Sequence, residues 1–391
     1  MKPCRVYLDW NATAPLRPEA REAMIAAMDV VGNPSSVHAE GRAAKAIVER
    51  ARGQVALLFG CEPSQVVFTG GATEAASLII HQGWDLVALG HHAHDCFEKA
   101  VVPYTNANLK THLVGHDPGS WRTASLPLMA DWAERRKTLC VVSGGCSETG
   151  VVEPLALVVD IAAELQSTAN EKRVGDPDHS VNIATDMTQR VGKASCVGQA
   201  SDFSICSAHK IGGPKGVGAV VLTSGLDLQS QIAGGGQEMG RRSGTENVIG
   251  IAGFGAAAEA AARDLANGVW DRVAELRNIL EISLDAAEKD IIFVGKGAER
   301  LPNTSCFSVP GWKGETQVMQ MDLAGFAISA GSACSSGKVK PSRVLRAMGY
   351  DEVTAASAIR VSLGPTTTEE DVLSFADAWG AAYKRHKARA A

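Results

Sequence analysis

The chain has no apolar run approaching the roughly 20 residues that a membrane-spanning helix needs, which argues against a helical membrane protein. Its opening residues, Met1-Lys2-Pro3-Cys4-Arg5-Val6, contain no apolar signal-peptide core and lead straight into a strand-like run, which predicts a cytoplasmic protein. The nine cysteines are odd in number and form no Cys-x-x-Cys pair, so neither a disulfide framework nor a tetrahedral zinc site is expected. No Gly-x-Gly-x-x-Gly follows the first strand and no Gly-Lys-Ser/Thr loop occurs, which disfavours a plain nucleotide-binding module. Charge of one sign is also scarce: the net charge of −5 gives no general affinity for nucleic acid or anionic membrane. There is no internal repeat.

What is present is ordinary globular composition in 391 residues, too long for one typical core, so two domains are expected. Short apolar strands recur, and several run into glycine. Gln65-Val66-Val67-Phe68-Thr69 is followed by Gly70-Gly71-Ala72-Thr73-Glu74 and an apolar helix from Ala75 to His81, a strand, turn and helix N-terminus that suits an anion. Leu86 to Leu89 precedes His91, His92 and His94, which lack the i, i+4 spacing of a helical metal pair; one of them suits stacking on a planar ligand. Thr138 to Ser143 ends in Gly144-Gly145-Cys146-Ser147-Glu148-Thr149-Gly150, with a helix from about Leu155 to Leu165 beyond. Val181 to Asp186 ends in a carboxylate, either a helix N-cap or a ligand contact, with Gln189 three residues on. Helices are also expected from Pro18 through Met28 and from about His38 to Phe59, the latter capped from Asn33-Pro34-Ser35-Ser36. Strands alternating with helices predict a mainly parallel sheet, whose strand ends would place Thr73, Ser147, Asp186 and Lys210 along one edge.

Lys210 is the centre of this pattern. The strand Ser204 to Ser207 delivers it into a turn rich in Gly212, Gly213, Gly216 and Gly218. A desolvated lysine at a strand end can form a Schiff base with an aldehyde cofactor, with Ser207 and His209 beside it for a phosphate. The loop Gly234 to Asn247 is either flexible surface or a phosphate-reaching arm. After an Ala-rich helix from Val248 toward Ala266, a helix over Val273 to Lys289, strands Ile291 to Val294, Ser305 to Val309 and Phe326 to Ser329, and a short helix from Pro341 to Met348 read as an α+β domain. There Ala330 to Lys340 surrounds Cys334 with small residues and lysines, as for an exposed thiol whose thiolate is favoured by positive charge. Arg360, on the apolar strand Ile359 to Leu363, needs either a structural or a substrate carboxylate. Pro365 to Glu370 opens the last helix with a capping box.

Tyr7-Leu8-Asp9 with Asn11-Ala12-Thr13, Asn33 to Ser36, Phe68 to Ala75, Gly234 to Asn247 and Ser329 to Lys340 stand in an order that resembles the cysteine desulfurases of the NifS/IscS type, over nearly the whole chain. The resemblance implies an α/β chain of the aspartate-aminotransferase type (pyridoxal-phosphate fold type I). Residues 16–255 would form a large cofactor-binding domain, and 1–15 plus 256–391 a small α+β domain carrying the Cys334 loop. It implies pyridoxal 5'-phosphate held by Lys210, Asp186 at the pyridinium nitrogen, Gln189 at the phenolic oxygen and His94 stacked on the ring. Ala72, Thr73, Ser207 and His209 would hold the phosphate, with Thr245 reaching in from the partner of a homodimer. Arg360 and Asn11 would bind the substrate. Cys334 would take sulfur from L-cysteine as a persulfide, leaving L-alanine, and is a candidate ligand for a transient iron-sulfur cluster; no resident metal is implied.

An iron-sulfur scaffold or other sulfur acceptor would be the partner, with no direct contact to nucleic acid or membrane. Other readings are a selenocysteine lyase, a transaminase or lyase with the same cofactor, or a low-activity structural partner in a sulfur-transfer complex. The chain departs from the family where Cys146-Ser147 replaces an Asn pair, where Trp10 replaces Asn and where Met239 replaces Arg. Ser147 is expected to take over the cofactor contact of the lost amide.

Overall fold

The computed structural model describes residues 5–90, 93–101, 110–114, 116–117, 120–123, 137–153, 163, 180–197, 201–222, 226–331 and 341–390. His91, His92, Cys334 and all but residue 163 of the helix expected over 155–165 lie outside them.

Valine-rich strands buried on both faces need cover on both sides. In Val66–Thr69, Val66 and Phe68 pack beside Val48 and Val55 of helix Ala39–Phe59 and Ile251 and Phe254 of helix Val248–Ala266. Val67, one residue out of phase, faces Ile79 of helix Ala72–Ile80 and Phe97 of helix Asp95–Val101, as the period of two requires. The described strands form a seven-stranded sheet in the order Val66–Thr69, Gly218–Leu222, Phe203–Ser207, Ser180–Asp186, Lys137–Ser143, Leu86–Gly90, Lys110–Val114. Gly218–Leu222 is antiparallel to both its neighbours and the other pairings are parallel.

A second sheet, antiparallel, is ordered Ile292–Phe293, Thr304–Ser308, Ala358–Ser362, Ser329–Ala330. Helices Val269–Ala287 and Glu369–Ala390 cover it, burying Leu276, Leu280, Phe307, Phe375 and Trp379 in one cluster. The strand expected over Phe326 to Ser329 divides at the buried Ile328: Phe326–Ala327 pairs in parallel with Val6–Tyr7, while Ser329–Ala330 joins the Arg360 strand. The expected boundary at 255/256 falls inside helix Val248–Ala266, whose Ala257, Ala258 and Ala261 belong to the first cluster. The chain turns toward the second cluster at Gly268, in the left-handed region at φ 68°.

Helix ends follow side-chain chemistry that the spacing did not reveal. Asn33 spends its Oδ1 on the Ser35 N–H, so His38 caps the helix instead, accepting from the Gly41 N–H. Helix Arg343–Ala347 starts later than Pro341 because Ser342 is its cap. Thr368 and Asp371 exchange reciprocal hydrogen bonds at the start of the last helix.

The glycine-rich arm 234–247 is fastened by a buried ion pair. Glu238 accepts from Arg52 Nη1 at 2.7 Å and Nη2 at 2.9 Å and from the Phe68 N–H at 2.8 Å, and Arg52 lies over the Phe68 ring. Removing one member strands the other in a dry site, so Glu238→Ala is expected to lower the unfolding free energy by about 3–5 kcal/mol, read as an earlier urea midpoint.

Candidate active site

Ladder register brings the strand ends together. Ser143 stands opposite Asp186, and Gly218 stands between Ser207 and Thr69. Only glycine fits at 218, because a Cβ there would lie 2.5 Å from the Cys206 carbonyl oxygen and 2.7 Å from the Gly71 Cα. These ends open into a cavity of about 800 Å³. It is lined by Asn11, Ala72, Thr73, His94, Ser147, Asp186, Gln189, Ser207, His209, Lys210 and Arg360, so all the expected site residues among those described are gathered there except Thr245. Thr245 lines a separate hollow with Glu246 and Arg242.

Lys210 ends a short 3-10 turn, Ala208–Lys210, and its Nζ donates to the carbonyls of Asn11 at 2.6 Å and Ala12 at 2.9 Å. The loop that follows the first strand thus lies over the lysine turn, and the Ala14 N–H donates to the His209 carbonyl. Burial and the cations Lys210, Lys215 and Lys193 push His209 down to about 4, so its imidazole is neutral at pH 7. His94 is the histidine of the three that the described residues include, and its Nδ1 accepts from the Cys96 N–H. Asp186 accepts from the Thr188 N–H at 3.0 Å, the short turn expected of a capping carboxylate, while still lining the cavity.

Arg360 finds a structural carboxylate and keeps a donor. Nη2 pairs with Asp9 at 2.6 Å and Nη1 donates to the Ser147 carbonyl at 2.8 Å, while Nε is buried and has no partner among the described residues. The side chain of Asn11 is engaged within the protein. Its Nδ2 donates to Ser147 and Thr304, its Oδ1 accepts from Asn303, and the residue is 1 % exposed, so what it offers the cavity is its carbonyl. Of the substituted positions, Ser147 lines the cavity, Trp10 is buried against Gly364 and Met239 is half exposed on the arm.

Two groups in this region were given no role by the motifs. Glu148 lines the cavity; the protein around its carboxyl pushes it up to about 7, although the Ser342 hydroxyl bonded to it and the cations Arg360 and Arg343 act the other way. Lys193 is buried beside Gln189, against the usual surface preference of lysine. Its spacing of four from Gln189 was the available signal.

The donor set fits an aromatic aldehyde phosphate. The amine of Lys210, a carboxylate, an amide and an imidazole surround the cavity, and the first-turn N–H groups of helix Ala72–Ile80 and the Ser207 hydroxyl stand where an anion is best held.

Comparison with known proteins agrees with this geometry. The family model "Aminotransferase class-V" matches residues 6–375. A cysteine desulfurase of Cereibacter sphaeroides is 36% identical over 388 residues, covering 94% of this chain and 93% of the relative. "Cysteine desulfurase IscS" of Dictyoglomus turgidum is 33% identical over 384 residues, covering 94% and 91%. The solved structure of a NifS-like protein from Rickettsia africae superposes with a TM-score of 0.83 at 28% identity, covering 97% of this chain and 99% of that one. Likeness of this extent shared with several such proteins leaves one assignment: the chain belongs to the class-V aminotransferase family, among the cysteine desulfurases of the NifS/IscS type.

Proposed function

We propose that this cavity converts L-cysteine to L-alanine and passes the sulfur to Cys334 as a persulfide. The observation that carries the reading is the gathering of Lys210, Asp186, Gln189, His94 and Arg360 around one cavity in a chain of this family. Pyridoxal phosphate, when bound, supplies an electron sink that lowers the cost of removing the α-proton of the substrate.

Lys210 would hold that group through Nζ, and the same amine is the base placed to take the α-proton. The carboxylate of Asp186 would keep the ring nitrogen protonated, Gln189 would donate to the phenolic oxygen and His94 would stack on the ring. The phosphate goes to Ala72, Thr73, Ser207 and His209, and a neutral His209 donates to it without adding a fourth cation to the three nearby lysines. Ser147 stands where the family's amide is lost and makes its contact with the hydroxyl. Arg360, which lines the cavity, offers the substrate carboxylate a guanidinium hydrogen that Asp9 and Ser147 leave unused. Cys334 thiolate attacks the substrate sulfur: an S–S bond forms, the C–S bond breaks, and its electron pair stays on carbon, which takes up a proton on the way to alanine.

Thr245 lies off the cavity of its own chain, and in this reading it completes the phosphate site of a second copy in a homodimer. The persulfide then serves iron-sulfur cluster assembly or another thiol acceptor in the cytoplasm. Among the described residues no helix is long and apolar enough to cross a membrane.

Purified protein mixed with L-cysteine and a thiol reductant is expected to be yellow and to release alanine and sulfide in equal amounts. A colourless protein, or alanine formed without sulfide, would overturn the reading. Arg360→Lys is expected to raise KM for L-cysteine about 10- to 100-fold with a smaller fall in kcat, the loss of one hydrogen bond to a charged group. Steady-state kinetics with saturating cofactor checks it.

A further inference from the structure

One buried amine beside the cavity has no part in the chemistry above. Lys193 is 3 % exposed, and its Nζ donates to the backbone carbonyl of Gln189 at 2.9 Å and to Gln189 Oε1 at 3.3 Å. The charged side chains that act on it are both cations, Lys210 and Arg360. A buried ammonium with no carboxylate partner is costly to keep. What it holds explains its presence.

Gln189 is itself 4 % exposed, and at its other end Nε2 donates to the Asn11 carbonyl at 2.9 Å, the same oxygen that accepts from Lys210 Nζ. The two ends of a carboxamide are alike in size, so only hydrogen-bond partners set its direction. Here they demand opposite things. An ammonium can only donate and a carbonyl can only accept, so one orientation satisfies both. In that orientation Nε2 keeps a second hydrogen, and Gln189 lines the cavity. The turn that makes this possible includes Gly192 at φ 70°, after which Lys193 comes back beneath the residue four positions earlier.

We propose that Lys193 is a positioning residue that fixes the direction of the Gln189 carboxamide and so presents an N–H donor to the cofactor's phenolic oxygen. The proposal rests on the reading of the cavity as a pyridoxal-phosphate site. Burial and the two neighbouring cations bring Lys193 down to about 7, so the ammonium gives way to an amine in mildly alkaline solution. An amine can accept as well as donate, and of the two constraints on the carboxamide only the Asn11 carbonyl then remains. The effect of Lys193 is therefore strongest at and below neutral pH.

The test is a double-mutant cycle read on cofactor binding rather than turnover. Lys193→Met removes a buried charge but leaves two buried acceptors of Gln189 without their donor, so binding is read well below the melting temperature of each variant. It is expected to raise the dissociation constant of pyridoxal phosphate about tenfold, as for one hydrogen bond to an anionic oxygen, and to move the pH midpoint of the bound-cofactor absorbance by about one unit. Gln189→Met should produce the same changes, and the double variant no more than the larger of them. Unchanged affinity and midpoint in Lys193→Met, or effects that add in the double variant, overturn the proposal. Gln189→Glu, which keeps Lys193 but offers the cavity only acceptors, serves if Lys193→Met does not fold; wild-type affinity in it also overturns the proposal. Failure of the wild-type apo-protein to bind pyridoxal phosphate would instead sink the cofactor reading beneath it.

Discussion

Lys210→Ala yields a colourless protein whose turnover of L-cysteine falls by at least about 10³-fold, a loss at the scale of a single proton-transfer group before the lost attachment is counted. The folded structure survives, because the two carbonyls that Nζ occupies, those of Asn11 and Ala12, face a cavity where water can replace the amine. Absorbance after incubation with pyridoxal phosphate separates the two roles of the amine. Cofactor still held by the helix end and Ser207 can be removed by gel filtration, whereas the wild type keeps it until the aldehyde is displaced. Lys210→Arg is expected to do no better, since a guanidinium that stays charged neither attacks an aldehyde nor takes the α-proton. A Lys210→Ala protein that remained yellow through gel filtration and released sulfide would remove the central residue of the reading.

Cys334→Ala is expected to keep its colour and its spectral response to L-cysteine while sulfide release falls by about 10³-fold or more, because binding and proton transfer stay intact and the sulfur has no acceptor. The flanks of the segment support this division. Gly331 lines the cavity and donates its N–H to the Ala358 carbonyl, and three residues beyond it reach at most about 11 Å. On the far side Ser342 is bonded to Glu148 and Arg343 to Glu98 and the Ala93 carbonyl, next to His94. Both ends are thus held at the wall of the cavity. Sulfide and alanine measured together decide the matter: alanine undiminished in Cys334→Ala would mean that sulfur leaves by another route.

The parts of this molecule that chemistry writes locally were legible in the residues. Runs such as Val66 to Thr69 and Gly218 to Leu222 can hardly be anything but buried strands, and the glycine turn after the first and before the second marks a strand end where backbone meets ligand. Lys210, Asp186, Gln189, Ser207 and Arg360 stood out because charged or hydrogen-bonding groups at such ends need partners. What was not legible depends on residues far away in sequence. The Asn11 side chain is held by Asn303, Thr304 and Ser147, none of them near it in sequence. The Asn33 turn looked like a helix cap until its oxygen was found on Ser35. Lys193 carries no motif and Glu148 stands in the run Gly144 to Gly150, which gives it no role; the protein packed around each is what makes it notable.

The pairing of Val6–Tyr7 with Phe326–Ala327, and of Asp9 with Ser329 and Arg360, has a consequence for how the chain is made. On a ribosome the N-terminal segment emerges some 320 residues ahead of its partners, about 15–60 s at common elongation rates. The large sheet can assemble during that interval, since its described strands are complete by Leu222. The oxygens that grip Lys210 belong to the early segment and are fixed in place by the late one. A nascent chain that has not yet reached Asn303 therefore lacks a finished amine site even where the sheet has formed, and the reactive lysine is completed only by residues that follow it by about ninety positions or more.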